Sequence, residues 1–259
     1  MADKKEYQFP TEEIDLPSKG QFYPKDNPLS SGKVDIKYMT AREEDILTSQ
    51  NLIRKGLVID KLLESVIVTP KVKMGDMIIG DKNAVMVAAR VLGYGAKYKV
   101  KVNCPTCTEE NSEEIDLATV EPKEFGLDGK SVADMSFKLP ASKRKVTYKL
   151  LTHADEIAIT QDLAAMKKVQ KGSNSVEPEI TTRLRHVITS VDNEEDRQEV
   201  QKFVDKEFLS IDSRAFRDHL QKMVPDVDLS FGFTCGACGH FERTGIPLTA
   251  EFFWPAGIG

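Results

Sequence analysis

All four cysteines of the chain lie in two Cys-x-x-Cys pairs, "CPTC" at 104–107 and "CGAC" at 235–238. A two-residue spacer places two sulfurs on one edge of the tetrahedron that zinc prefers, so two such pairs can fill a four-ligand shell. Because the pairs are far apart in the chain, a shared metal would require the fold to bring two distant segments together. We therefore predict a zinc site whose ligands are Cys104, Cys107, Cys235 and Cys238.

Two other uses of paired cysteines compete with this prediction. A redox Cys-x-x-Cys motif normally lies between a strand and a helix, whereas each pair here follows an expected strand and leads into a polar turn. Disulfides are rare in chains without a secretory signal. The N-terminal "MADKKEYQFP" has charges but no apolar stretch behind them, so we expect no signal peptide. Both considerations favour a metal.

The cysteine pairs belong to a longer repeat. A shift of 131 positions aligns "YKVKVNCPTCTEENSEEIDL" with "LSFGFTCGACGHFERTGIPL". Apolar residues alternate on both sides of each pair and stay in phase, as they do on one face of a strand. We therefore predict two β-hairpins, each with a cysteine pair at its tip, that together form a four-cysteine zinc ribbon.

A ribbon of this kind predicts a structural zinc. Four thiolates saturate the ion and leave no open position at which water could be activated. His240 directly follows the second pair. We expect its side chain to lie at the surface or beside the site rather than in the ligand shell.

The rest of the sequence predicts an α+β fold in five parts. These are an extended N-terminal arm (1–33), a mainly helical region (34–97), the zinc ribbon (98–120 plus 225–250), an inserted β-hairpin with helices (121–224) and an aromatic C-terminal tail (251–259). The arm is rich in loop-forming residues, so contacts with the body or with a partner must order it. The tail holds Phe252, Phe253 and Trp254, which either fold back onto the chain or anchor another subunit.

Helix boundaries follow from capping residues. In the helical region, Thr40 and Glu43 form a capping box, and that helix is expected to end near Gly56. "DKLLESVI" predicts a short helix, and a further helix is expected from an Asp81 cap to Gly93. In the insertion, a hairpin over "MSFKLPASKRKVTYKLLT" precedes helices that are expected after a Thr152 cap and at 179–191, 193–207 and 212–223.

Composition limits the functional classes. Hydrophobic residues make up 40% and charged residues 30% of the chain, as in soluble globular proteins. No apolar run approaches the ~20 residues that cross a bilayer. The net charge of -5 provides no general attraction to phosphates, and the basic run at 143–145 is typical of a charged hairpin tip, so we do not expect nucleic-acid binding.

No enzyme motif is present. The chain has no G-x-G-x-x-G, P-loop or H-E-x-x-H pattern, and His153, His186, His219 and His240 are scattered. We therefore predict a non-enzymatic interaction protein. Two alternatives stay open: a zinc-ribbon module that binds nucleic acid, and an enzyme of unrecognised type whose site is the cleft between ribbon and helices.

Several stretches resemble a known family. "LPSKGQFYP", "GKVDIKYMTAREEDILT", "GDKNAVMVAARVLGYGAKYKVKVNCPTC" and the late Cys-x-x-Cys before "FFWP" are similar to baseplate hub proteins of T4-like contractile-tailed bacteriophages. The resemblance is strong over about 1–120 and 225–255 and weak over 151–223. It implies a hub subunit or hub-assembly factor, present in the virion or in the host cytoplasm during assembly. It also implies zinc at the four cysteines, and partners among other tail subunits that the arm and the tail would contact.

Overall fold

The computed structural model describes residues 10–169, 178–248 and 250–253. Within these ranges the chain forms eight α-helices: α1 (Ala41–Thr48), α2 (Gln50–Lys55), α3 (Val58–Val66), α4 (Ile79–Tyr94), α5 (His153–Val169), α6 (Glu179–Val187), α7 (Arg197–Lys202) and α8 (Ser210–Met223). None of these helices has the length and apolar character required to cross a bilayer.

Short antiparallel sheets complete an α+β fold, as predicted. The strands are β1 (Thr11–Asp15), β2 (Lys33–Lys37), β3 (Lys97–Asn103), β4 (Glu110–Asp116), β5 (Ser136–Lys138), β6 (Lys145–Tyr148), β7 (Ile188–Val191), β8 (Ser230–Thr234) and β9 (Phe241–Gly245). They pair as β1–β2, β3–β4, β5–β6–β7 and β8–β9. A continuous hydrophobic core extends from Leu16 to Phe253 and includes side chains from both the helical region and the insertion.

The first helices begin where the sequence indicates. The Thr40 side chain caps α1, and the Glu43 carboxylate accepts a hydrogen bond from Thr40 N at 2.8 Å, which completes the predicted capping box. The helix is interrupted at Ser49, and the second segment, α2, ends at Gly56 with φ 68. A left-handed residue at this position favours glycine.

The predicted Asp81 cap is wrong. Helix α4 begins at Ile79, with Ile78 at the cap position three residues before Asp81, and it continues past Gly93 to Tyr94. The Asp81 side chain is fully buried and accepts hydrogen bonds from Ser18 N at 2.9 Å, Ser18 Oγ at 2.6 Å and Tyr23 Oη at 2.6 Å. Its carboxylate therefore fixes a distant segment instead of the end of its own helix.

The predicted arm lies on the body of the molecule from residue 10 onward. Strand β1 pairs with β2 over its whole length, and the side chains of Leu16 and Leu29 are buried. The sequence left open whether the arm contacts the body or a partner. The described part of the arm contacts the body of its own chain. Residues 1–9 lie outside the described residues, and the five-part domain division stays a prediction.

The insertion contains one strand that the sequence did not predict. The helix expected at 179–191 ends at Val187, and residues 188–191 form β7, which pairs with β6. This stretch, "ITSV", has two β-branched apolar residues and a threonine, which favour a strand when a pairing edge is available. The helix expected at 193–207 begins instead at the Asp196 cap and ends in a π-helical turn.

The C-terminal aromatics fold back onto the chain. Phe252 and Phe253 are fully buried, and Arg90 Nε donates to the Phe252 carbonyl at 3.0 Å. The Phe252 ring lies 5.1 Å from that of Tyr98. These two rings are therefore part of the core and are not available to anchor another subunit, whereas Trp254 lies outside the described residues.

Candidate metal-binding site

The two predicted hairpins are present and share one geometry. Asn103 pairs with Glu110 in the first hairpin, and Thr234 pairs with Phe241 in the second, so the registers differ by the same 131 positions as the sequences. Each tip is a turn that we call a knuckle, residues 104–109 in the first hairpin and 235–240 in the second.

The backbone hydrogen bonds of the two knuckles also correspond. Cys104 N donates to Glu109 O, and Cys235 N donates to His240 O, each at 2.9 Å. A second bond closes each turn, from Thr108 N to Cys104 O and from Gly239 N to Cys235 O, again at 2.9 Å. The repeat in the sequence is therefore a repeat in backbone conformation.

Equivalent positions of the two knuckles hold different residue types in the same backbone conformation. Thr108 has φ 63 and Gly239 has φ 73. Glycine adopts this left-handed region without a steric cost, whereas a β-branched residue is strained there. Thr108 has one local compensation, because its hydroxyl donates to the Cys107 carbonyl at 2.7 Å.

The structure brings all four predicted cysteines together. Their sulfurs lie within 4.8 Å of one another, and they are the only group of three or more histidine, cysteine or acidic residues in the described ranges that could hold a metal. Cys104 Sγ and Cys238 Sγ are 3.7 Å apart, and Cys107 Sγ and Cys235 Sγ are 3.6 Å apart. A tetrahedral zinc with bonds of about 2.3 Å requires sulfurs about 3.8 Å apart, so the spacing fits this ion.

The sulfurs are not joined to each other. A disulfide requires a separation of about 2.05 Å, and all four thiols are free. The geometry thus agrees with metal binding rather than with a covalent crosslink. The set mixes buried and accessible groups, since Cys104 and Cys235 are buried and Cys107 and Cys238 are exposed.

Backbone hydrogen bonds and the neighbouring sulfurs give the thiols different pKa values. Backbone N–H groups, first that of Cys238, lower the pKa of Cys235 to about 6. The Glu109 backbone favours the Cys107 thiolate, but the neighbouring Cys238 thiol, burial and the other sulfurs outweigh it and raise the pKa of Cys107 to about 12. Four negative charges cannot be this close without a cation, and a divalent metal would favour the thiolate form of all four.

A small apolar cluster supports the sulfurs. Phe233 is fully buried and packs with Cys104 and Cys235, and Val102 and Phe231 lie against this group. Val102 and Phe231 also pack against the main core, so they connect this small cluster to it. Val102 and Phe233 are equivalent positions of the repeat, so the same strand position of each hairpin contributes a side chain to the contact.

Asn111 is a site residue that the sequence analysis did not identify. Its Oδ1 accepts from Gly236 N at 3.0 Å, and its Nδ2 lies 3.7 Å from Cys235 Sγ. A side chain on β4 therefore positions the opposite knuckle. The repeat contained an indication of this role, because the equivalent position of the second hairpin is Glu242, which breaks the symmetry at a polar position.

His240 follows the second cysteine pair and is not one of the four grouped candidate ligands. Its Nε2 is 3.8 Å from the Glu242 carboxylate, and its carbonyl accepts the bond from Cys235. The other histidines have unrelated neighbours: His153 contacts Asp60, His186 contacts Asp162, and His219 stacks on Phe137.

The central residue of the basic run at 143–145 is paired with two carboxylates. The Arg144 guanidinium forms ion pairs with Asp192 at 2.8 Å and with Glu207 at 2.9 Å. The run thus belongs to a hairpin tip that is tied to the insertion, and it does not form a basic surface with the aromatic Tyr148, which is buried.

Comparison with known proteins identifies a family. A family model described as "T4 bacteriophage base plate protein" matches residues 10–254. The match includes both cysteine pairs and the helices at 151–223, where the resemblance by sequence motifs is weak. Searches of curated proteins and of solved structures find no significant match.

Proposed function

Because this chain belongs to the T4 bacteriophage base plate protein family, we propose that it acts in the central hub of the baseplate, as a hub subunit or hub-assembly factor that contains a structural zinc. Family membership makes it a phage baseplate protein. The hub position, the zinc ion and the choice between subunit and assembly factor are the parts that we propose.

The observation that carries the zinc proposal is the sulfur geometry. Four cysteines from two distant hairpins lie within 4.8 Å of one another, with two cross-hairpin distances near those of a tetrahedral site. In our proposal the two hairpins form a zinc ribbon whose ligands are Cys104, Cys107, Cys235 and Cys238. When bound, the ion would add folding free energy by connecting two hairpin tips that few apolar contacts hold together.

The proposed role is non-enzymatic. A shell of four protein ligands has no position for a substrate or a reactive water, so the metal would serve stability alone. The expected partners are other baseplate and tail subunits. The expected location is the tail of the virion, or the host cytoplasm while the hub is being assembled.

Two measurements test the proposal. Elemental analysis of the purified protein should give one zinc per chain, and substitution of Cys235 by serine should abolish it. Mass spectrometry of purified particles should detect the chain if it is a hub subunit, whereas an assembly factor should be present in infected cells and absent from particles. A metal-free protein with normal stability would contradict the zinc proposal.

Nucleic-acid binding is the weaker alternative. The net charge is -5, and within the basic run at 143–145 Arg144 is paired with Asp192 and Glu207. Binding through phosphates would give salt-dependent retention on a heparin column. We expect the protein to elute without retention.

A further inference from the structure

The outer edge of β1 carries backbone groups that the ladder with β2 does not use. Leu16 N donates to Gly32 O at 2.8 Å, which makes this pair a hydrogen-bonded one. Hydrogen-bonded and non-hydrogen-bonded pairs alternate along an antiparallel ladder. The even-numbered residues of β1 therefore direct their backbone groups to β2, and Glu13 and Asp15 direct theirs outward.

The partner strand agrees with this assignment. Asp35 of β2 is opposite Glu13, and its backbone also points away from the ladder. There it has partners: Asp35 O accepts from Val68 N at 3.0 Å, and Asp35 N donates to Thr69 Oγ1 at 2.7 Å. The outward groups of β1 have no such neighbour among the described residues, so this edge of the two-stranded sheet is open.

An apolar groove lies beside the open edge. It has a volume of about 410 Å³ and is bounded by β1 on one side and α4 on the other. Ile14 and the helix residues Ala88 and Val91 line it, with Leu117 and Val120 also contributing. An extended chain that paired with β1 would place every second side chain in this groove, because side chains alternate between the faces of a strand.

The charges around the edge are mostly negative. Glu12, Glu13 and Asp15 contribute three carboxylates to a strand of five residues, and Lys33 is the cation that pairs with Glu13 and, at 3.7 Å, with Asp15. The Asp15 side chain is 83% exposed. A segment with lysine or arginine at the positions that face solvent would balance these carboxylates, whereas an acidic segment would be repelled.

We propose that this groove receives an extended segment of a neighbouring baseplate subunit as an added β-strand, with aliphatic side chains at alternate positions and basic side chains between them. Edge-strand addition derives affinity from main-chain hydrogen bonds and specificity from pockets for alternate side chains, and both features are present here. The identity of the partner as a baseplate subunit rests on the proposed function.

A peptide probe tests the surface directly. A fluorescein-labelled heptapeptide of alternating valine and lysine is titrated with the full-length protein at low salt, and anisotropy is measured. We expect saturable binding that weakens at least tenfold when the peptide is N-methylated at alternate residues, because methylation removes the donors that would pair with β1. Equal binding of both peptides would overturn the proposal.

Matched protein variants locate the site. Ala88→Leu fills the groove and should weaken binding at least tenfold, whereas Ala165→Leu, on an exposed position of α5, should not change it. Glu13→Pro removes an outward N–H that the ladder does not use, and it should weaken binding more than Glu13→Gln, which removes the charge alone. Unchanged thermal unfolding of the variants would show that each is folded, and unchanged binding by Ala88→Leu would exclude the groove.

Two further outcomes are distinguishable. If a variant without residues 1–9 binds the peptide much more tightly than the full chain, the groove is occupied by the protein's own N-terminus, and the proposal of a partner strand is wrong. The peptide measurement does not depend on phage assembly, so failure of the chain to associate with other baseplate subunits would contradict the proposed function without changing the binding result.

Discussion

Two regions of the molecule differ in how many buried side chains stabilise them: the tips of the two cysteine hairpins have few, and the body has many. We use "hairpin pair" for β3–β4 with β8–β9, and "body" for the helices with the remaining sheets. At the tips of the hairpin pair, Phe233 and two buried cysteines form the contact. The main core includes Leu62, Val85 and Phe216 of the body, and away from the tips it also takes in Tyr98 and Val100 of β3. Where so little apolar surface can be buried, a metal is the usual additional source of stability.

Metal removal gives the largest expected difference between the two regions. Structural zinc sites contribute on the order of 10 kcal/mol of folding free energy at neutral pH, and the tips have no core of comparable size. After chelation, or in the Cys235→Ser variant, we expect the amides of β3 and β8 to lose protection while those of α4 keep theirs. Hydrogen exchange measured by mass spectrometry checks this, and equal loss in both regions would show that they unfold together.

A substitution in the core should destabilise the body and leave the metal site unchanged. Phe216 is fully buried, and its ring lies 5.7 Å from that of Tyr148 and 5.9 Å from that of Phe137. Phe216→Ala should lower the free energy of unfolding of the body by about 3–5 kcal/mol, because it leaves a cavity. Zinc affinity should stay at the wild-type value in a competition titration with a chromogenic chelator. A large loss of affinity would show that the site depends on this core.

Acid should weaken the body through Glu43. Burial raises its pKa, but hydrogen bonds from Ser65, Thr40 and Lys37 outweigh burial and lower the pKa of Glu43 to about 2, from an ordinary value of 4.5. A lowered folded-state pKa means that the stabilisation is present above pH 4.5 and is lost as the pH falls toward 2. The contribution at neutral pH is about 3 kcal/mol.

Denaturant unfolding of the metal-free protein at a series of pH values measures this contribution. We expect Glu43→Gln to be less stable than the wild type at pH 7, with a difference that shrinks between pH 4.5 and 2. Use of the metal-free form matters, because protonation of the cysteines would release zinc in the same range. A constant difference across the series would contradict the role assigned to Glu43.

The smallest effect is expected at Asn111. Residues that orient metal ligands typically contribute 10–100-fold to metal affinity, and Asn111 connects β4 to the opposite knuckle through Gly236 N. Asn111→Ala should weaken zinc binding within that range and should leave the unfolding of the body unchanged. Ser112→Ala, at the next and exposed position of β4, is the control. Identical zinc affinities for the two variants would show that Asn111 does not orient the metal ligands.

Much of the hairpin pair could be predicted from the sequence because its determinants are local. The spacing within each Cys-x-x-Cys pair, the alternation of apolar residues and the shift of 131 positions predicted two hairpins in the same register. The Thr40 capping box was equally accessible, since its partner is three residues away. In each case the interacting groups lie within a few residues of one another, where short-range geometry decides.

Tertiary structure decided the features that depend on distant groups. Asp81 has the sequence pattern of a helix cap, yet its carboxylate binds Ser18, which lies 63 residues away. Residues 188–191 continue a helical pattern but form β7, because β6 offers an edge with which to pair. The assembled chain decides the partner of each buried polar group. It also decides which strand edges are covered. The sequence therefore determined the hairpins and their cysteines, and the fold alone placed the four sulfurs within 4.8 Å of one another.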